Sequence, residues 1–202
     1  MKVQIISYFS PPYSTHAAKL AESCKRWSIQ PQDVTIQPVK AFKNWHQGVC
    51  YKPTFIRNTL ETLNQVDGVL WIDADGYFVR RPYFDDLKGD VGGCRFQWSP
   101  MHKLEILSGT LFFRNNKQTK SFLDAWIKAT TKYSHSDTPE QDALYETVDK
   151  WRGIIAFEPL PIEWAYIDHP ALKELYPQAI PLIMHSQASR QIKAEEFRRG
   201  LR

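Results

Sequence analysis

Two aspartates, Asp73 and Asp75, close the most apolar segment of the chain, Val69-Leu70-Trp71-Ile72. Residues i and i+2 of an extended chain point the same way and lie roughly 6.6 Å apart along it, so both carboxylates are expected on one face. Neighbouring acids repel one another and gain from a cation beside them. A hard divalent ion takes one or two protein carboxylates and completes its shell with water and substrate phosphates. Such an ion, Mn2+ or Mg2+, neutralises the charge that develops on a phosphate leaving group. Gly76 comes next and lets the backbone turn or a ligand approach. A pair of surface acids is the plainer reading of these letters. The continuous apolar run argues against it, because a parallel strand buried on both faces ends where open α/β sheets bind ligands. His185 closes a second apolar run, residues 180–184, and neutral imidazole suits a manganese-like metal as a third ligand.

These residues need elements to carry them. The run from Val3 stops at Pro11-Pro12 and reads as a first strand. Ser14-Thr15 offers an N-cap for a helix with Ala17, Leu20, Ala21 and Cys24 at helical spacing. Residues 33–39 alternate as a strand, 54–66 carry Phe55, Ile56, Leu60 and Leu63 on a helix, and 69–72 form the buried strand. This alternation predicts an α/β domain with a mainly parallel sheet. Beyond it, 107–114 reads as a strand, 119–132 and 139–148 as helices, and 154–157 and 180–184 as short strands. Ser108-Gly109-Thr110 suits either a bulge or a backbone that a ligand approaches. Lys52 and Arg57 suit a solvated helix face or contact with a phosphate or sugar. Trp45, Trp98 and Trp164 fill a core or stack on sugar rings.

The ordered motifs resemble those of GT-A-fold glycosyltransferases, similar to the family 8-like nucleotide-diphospho-sugar transferases, over roughly residues 3–190. The resemblance is carried by Tyr8-Phe9, Leu70-Trp71-Ile72-Asp73-Ala74-Asp75, Arg81-Pro82, Ser108-Gly109-Thr110, Glu140-Gln141-Asp142, Leu160-Pro161 and Ile183-Met184-His185. It implies a GT-A, Rossmann-like α/β fold. It further implies Tyr8 and Phe9 beside the nucleobase, and Asp73, Ser108 and Gly109 at the donor. Metal would be held by Asp73, Asp75 and His185, with Gln141 and Asp142 in catalysis. The implied reaction moves a sugar from a nucleoside diphosphate sugar, UDP-linked, to a hydroxyl acceptor with retention. The acceptor is a glycan, a small molecule or a modified DNA base. The chain departs from the family's pattern at Leu107 and Glu140. It also departs after His185, where Ser186-Gln187-Ala188-Ser189-Arg190 replaces the usual lysine motif, so Arg190 or Lys193 is left to meet the diphosphate.

The 202 residues suit a single domain, 1–202, with a nucleotide-binding half (1–100), an acceptor and metal-completing half (101–193) and a charged tail (194–202). A net charge of +4 tolerates an anionic ligand without demanding nucleic acid, and no DNA-reading signature is present. Three widely spaced cysteines exclude a disulfide framework and a structural zinc site. With no signal peptide and no run of about 18 apolar residues, a cytoplasmic protein is expected. Two other classes share the motif. One is a haloacid-dehalogenase-type phosphatase using Asp73-Ala74-Asp75-Gly76, although some seventy residues of α/β pattern precede it here. The other is a nucleotide- or glycan-binding relative without turnover.

Overall fold

The computed structural model describes residues 1–99, 101–133 and 135–188. The strands are β1 (Val3–Phe9), β2 (Val34–Pro38), β3 (Gly68–Ile72), β4 (Gly76–Phe78), β5 (Val91–Phe96), β6 (Glu105–Arg114), β7 (Phe157–Pro159), β8 (Tyr166–Ile167) and β9 (Ile183–His185). The helices are α1 (Ser14–Arg26), α2 (Trp45–Cys50), α3 (Lys52–Thr62), α4 (Lys117–Thr130), α5 (Pro139–Lys150) and α6 (Pro170–Leu175). A six-stranded sheet runs β2-β1-β3-β6-β5-β7. β6 is antiparallel to both neighbours and the other pairings are parallel, so the sheet is mainly parallel, as expected. A small second sheet, β4-β9-β8, joins the segment after the aspartates to the end of the described chain.

β3 shows why the centre is stable. Val69 and Trp71 pack with Ile56, Leu111, Phe113 and Trp126 on the face covered by α3, α4 and α5. Leu70 and Ile72 pack with Leu20, Phe112 and Ile183 on the other face. Burial of an apolar side chain of this size contributes about 1.5–3 kcal/mol, and none of the four exceeds 2% exposure. Cys24 and Cys94 are buried free thiols, both pushed up to about 12 by desolvation.

Several boundaries differ from expectation. Ser14 is already helical, because a 3-10 turn over Pro11–Tyr13 runs straight into α1 and leaves Tyr13 at the cap. α4 begins earlier, at Lys117, since the Asn116 side chain accepts from Thr119 N–H at 2.8 Å. The expected strand at 154–157 moves to Phe157–Pro159, because Ile154 and Ile155 N–H turn back onto Trp151 O. The expected strand at 180–184 moves to Ile183–His185, leaving Ile180 exposed. Among the described residues no helix is long and apolar enough to cross a membrane.

Candidate active site

Beyond Ile72 the chain does not stay extended. Gly76 N–H donates to Asp73 O at 2.8 Å, closing a turn over residues 73–76. The two carboxylates therefore part company, contrary to the i, i+2 expectation. Asp73 turns toward α3, and Asp75 turns toward β9. β4 pairs antiparallel with β9 in a register that sets Gly76 opposite His185. That pairing carries a histidine from 110 residues downstream to Asp75.

His185 is 6% exposed. Its ring lies between two glycines: a Cβ on Gly76 would stand 2.8 Å from Cε1, and one on Gly109 3.0 Å from it. Nε2 lies 2.9 Å from Thr110 Oγ1, and Nδ1 lies 3.5 Å from Asp75 Oδ1. Ala188 N–H donates to Asp75 Oδ2 at 2.8 Å. Burial alone would raise the Asp75 carboxyl, but His185, the Ala188 amide and His16 together hold it below the usual carboxylate range.

Asp73 Oδ1 meets Lys52 Nζ at 2.9 Å and accepts from Trp71 Nε1 at 2.8 Å. Partial burial and the Asp75 charge raise its carboxyl against the pull of Lys52 and His185. Lys52 is 2% exposed, so the solvated-face reading fails for it. Its ammonium also donates to Ser108 O (3.1 Å), Ser108 Oγ (3.2 Å) and Glu140 Oε1 (3.4 Å). Burial disfavours the charge, yet Asp73 and Glu140 overcome this and hold the Lys52 pKa above normal. Ser108 Oγ donates to Glu140 Oε1 at 3.0 Å, while Glu140 Oε2 is buried with no protein hydrogen bond. Arg57, by contrast, sits on the surface with Glu61 and Asp124.

Ser108-Gly109-Thr110 is a bulge. One step on β5, Gly93 to Cys94, spans Leu111 to Leu107 on β6, so these three residues have no β5 partner. Freed from that ladder, each serves the site. Ser108 O takes Lys52, Gly109 O accepts from Asp73 N–H at 2.8 Å, and Thr110 meets His185. Gly109 makes room for the imidazole.

The cavity above these groups has a volume of about 870 Å³. Tyr8, Phe9, Asp73, Asp75, Ser108, Gly109, Gln141 and His185 all border it. Tyr8 is fixed by donation to Gly48 O at 2.6 Å and by the rings of Phe42, Tyr51, Phe55 and Trp71. Gln141 Nε2 donates to Glu105 Oε2 at 2.7 Å. Asp142 is not in the lining; it bonds Ser136, Thr138 and Lys103 at the first turn of α5. Trp45 and Trp98 border the cavity, whereas Trp164 is partly buried and packs against the core beside Phe84. Arg190, Lys193 and the tail fall outside the described residues. Among the described residues no three His, Cys, Asp or Glu side chains form a ready metal-holding group; Asp75 and His185 stand as a pair.

Sequence alone leaves Lys52 between a solvated face and a donor contact, and treats Glu140 as a departure. A usable signal existed. Lys52, Phe55, Ile56 and Leu60 have i, i+3, i+4, i+8 spacing, so Lys52 lies on the buried stripe of α3, and a buried lysine requires carboxylates.

No protein-family model matches the chain, and no curated protein resembles it in sequence. Its likeness is to solved structures. The crystal structure of a glycosyltransferase involved in the glycosylation of the major capsid of PBCV-1 matches with a TM-score of 0.69 at 16% identity, over 97% of this chain and 100% of that one. The glycosyltransferase GlyE in Streptococcus pneumoniae TIGR4 matches with a TM-score of 0.60 at 13% identity, over 92% of this chain and 55% of that one. At such identities the likeness establishes the fold: the mixed α/β architecture with its mostly parallel central sheet is one that glycosyltransferases use.

Proposed function

We propose that the protein is a metal-dependent glycosyltransferase that moves a sugar from a nucleoside diphosphate sugar, UDP-linked, to a hydroxyl acceptor with retention. The observation that carries this reading is the cavity itself. On a fold shared with two glycosyltransferases, Asp73, Asp75 and His185 border one space with the Lys52–Glu140–Ser108 cluster. Among the described residues, four carboxylates line that space, Asp73, Asp75, Glu105 and Glu140, against the ammonium groups of Lys43 and Lys52. Lys52 is already spent on Asp73 and Glu140. A diphosphate entering so acidic a cavity needs a cation with it.

The donor set fits Mn2+ or Mg2+. Thr110 engages His185 Nε2, which leaves Nδ1 facing Asp75 Oδ1 across 3.5 Å. An outer partner on one ring nitrogen is what orients a histidine ligand through the other. Asp75 and His185 would hold the ion, with the Asp73 carboxylate bordering the same space. When bound, the ion would supply positive charge that offsets the charge developing on the diphosphate leaving group. Tyr8 and Phe9, which border the cavity, would lie beside the base, as the resemblance implies. Retention rests on the resemblance. A phosphatase using Asp73 as nucleophile is less well supported, because the fold is the one shared with the two glycosyltransferases.

Calorimetry of UDP with and without manganese, on the wild type and Asp75→Ala, tests the proposal. Manganese-dependent binding that Asp75→Ala abolishes is expected. No binding of UDP, or equal binding by the variant, overturns it.

A further inference from the structure

The aspartates, His185 and the Lys52 cluster occupy only part of the cavity. It continues along β6 to the β5–β6 hairpin, where Trp98, Glu105, Leu107, Gln141 and Ile167 line it. Phe96 pairs with Glu105, so Trp98 and Glu105 emerge at the same end of the hairpin. Trp98 is half-buried. Its indole stands nearly perpendicular to Phe96 (4.7 Å, 89°) and to His169 (5.6 Å, 77°). Two such contacts hold the ring in one orientation while part of it borders the cavity.

Glu105 is held too, by the Gln141 amide at 2.7 Å. The first turn of α5 thus divides its side chains: Glu140 faces the Lys52 cluster and Gln141 faces Glu105. From Gly109, beside His185, back to Glu105 is four residues, at most about 14 Å along β6. A diphosphate and one sugar ring set end to end would fill that span, which would put the Trp98–Glu105 end just beyond the donor sugar.

An oriented aromatic ring next to a carboxylate and an amide is chemistry that takes a pyranose. The C–H face of the sugar packs on the indole, and its hydroxyls donate to the carboxylate. Phosphate-rich nucleic acid fits less well, because Glu105 presents negative charge. We propose that this end of the cavity is the acceptor subsite and that the acceptor is a saccharide, with its ring on Trp98 and a hydroxyl bonded to the Glu105–Gln141 pair. The assignment rests on the glycosyltransferase reading, but saccharide binding is measurable without any donor.

The test is saturation-transfer NMR on the full chain with methyl pyranosides of glucose, galactose, mannose and N-acetylglucosamine. At least one should receive saturation from the wild type. Trp98→Leu keeps apolar bulk against Phe96 but removes the flat ring, and should weaken binding about tenfold. The isosteric Glu105→Gln, a second variant that spares the core, should weaken it as well. Tyr83→Ala, an exposed aromatic outside the cavity lining, should keep the signal. No signal with any pyranoside, full signal in both Trp98→Leu and Glu105→Gln, or displacement of the sugar by a short DNA duplex overturns the assignment. Saccharide binding that survives a failure of UDP and manganese to bind would keep the subsite and remove the transferase reading, so the two failures are distinct.

Discussion

Lys52→Met is the most informative single perturbation. Methionine nearly matches lysine in length and suits the stripe formed by Phe55, Ile56 and Leu60. What it removes is the cation shared by Asp73, Glu140 and Ser108, at distances of 2.9 to 3.4 Å. Breaking a buried ion pair from one side costs about 3–5 kcal/mol, because a charge is left buried without compensation. Asp73 is 36% exposed and regains water in part, whereas Glu140 is only 9% exposed and does not. The lower end, about 3 kcal/mol, is therefore expected. That is roughly a 150-fold shift in the folding equilibrium and about 6–12 °C in Tm for a chain of this size. In the wild type, Lys52 has its pKa raised above the ordinary 10.5. Its contribution is fully present below that value and is lost only as pH rises through the still higher folded value. The wild-type cluster should thus be insensitive between about pH 5 and 9 as far as Lys52 is concerned. The variant should behave differently: carboxylates without their cation are relieved by protons, so its deficit should shrink as pH falls from about 8 to 5. Urea denaturation at both pH values measures this. Adding Glu140→Gln to Lys52→Met should recover most of the loss, because the uncompensated charge goes with it. A deficit below about 1 kcal/mol, or no recovery in the double variant, would refute the claim that these groups form one interdependent cluster.

Three further outcomes rest on local contacts. Gly109→Ala places a methyl 3.0 Å from His185 Cε1, and Gly76 blocks retreat on the other side; the cost should be about 1–3 kcal/mol. Manganese-dependent UDP binding should fall at least about tenfold, since ligand geometry tolerates little displacement, and unchanged affinity by calorimetry would remove His185 from the metal site. Asp142→Ala separates structure from chemistry: loss of its bonds to Ser136, Thr138 and Lys103 should cost about 1 kcal/mol by thermal melting. Transfer that collapses without a stability loss would return Asp142 to the chemistry. Glu146 is held at about 2 by hydrogen bonds from Lys150, Tyr133 and Lys132. A depressed carboxyl contributes stability above its ordinary 4.5 that is lost as pH falls toward 2. Glu146→Gln should therefore flatten that acid limb in a pH series of melts, less so in high salt.

What was legible in the sequence tracks what local physics decides. β3 announces itself because both of its faces are buried, so every residue from Val69 to Ile72 must be apolar. α3 and α4 announce themselves through one-sided burial at helical spacing. β4 and β5 do not. Gly76-Tyr77-Phe78 is three residues long, and Val91-Gly92-Gly93-Cys94-Arg95-Phe96 contains two glycines that weaken any strand signal. Both exist because a partner arrives from elsewhere in the chain: β9 for β4, and β6 with β7 for β5.

The same division runs through the site. That Asp73 and Asp75 stand at the end of a buried strand was readable; that they face different partners was not. The decision is made by the Gly76-to-Asp73 turn and by the register that puts Gly76 opposite His185. A spacing rule holds only while the strand persists, and this strand ends one residue before the first aspartate. Divergence has a chemical consequence. Two carboxylates aimed at one point would both belong to a cation. Here Asp73 is tied to the protein through Lys52 and Trp71, whereas Asp75 faces His185. The buried lysine thus ties the aspartate turn to β6 and α5, the elements that carry Glu105 and Gln141 at the far end of the cavity. A change at residue 52 should therefore be felt at both ends, whereas changes at Trp98 should be confined to one.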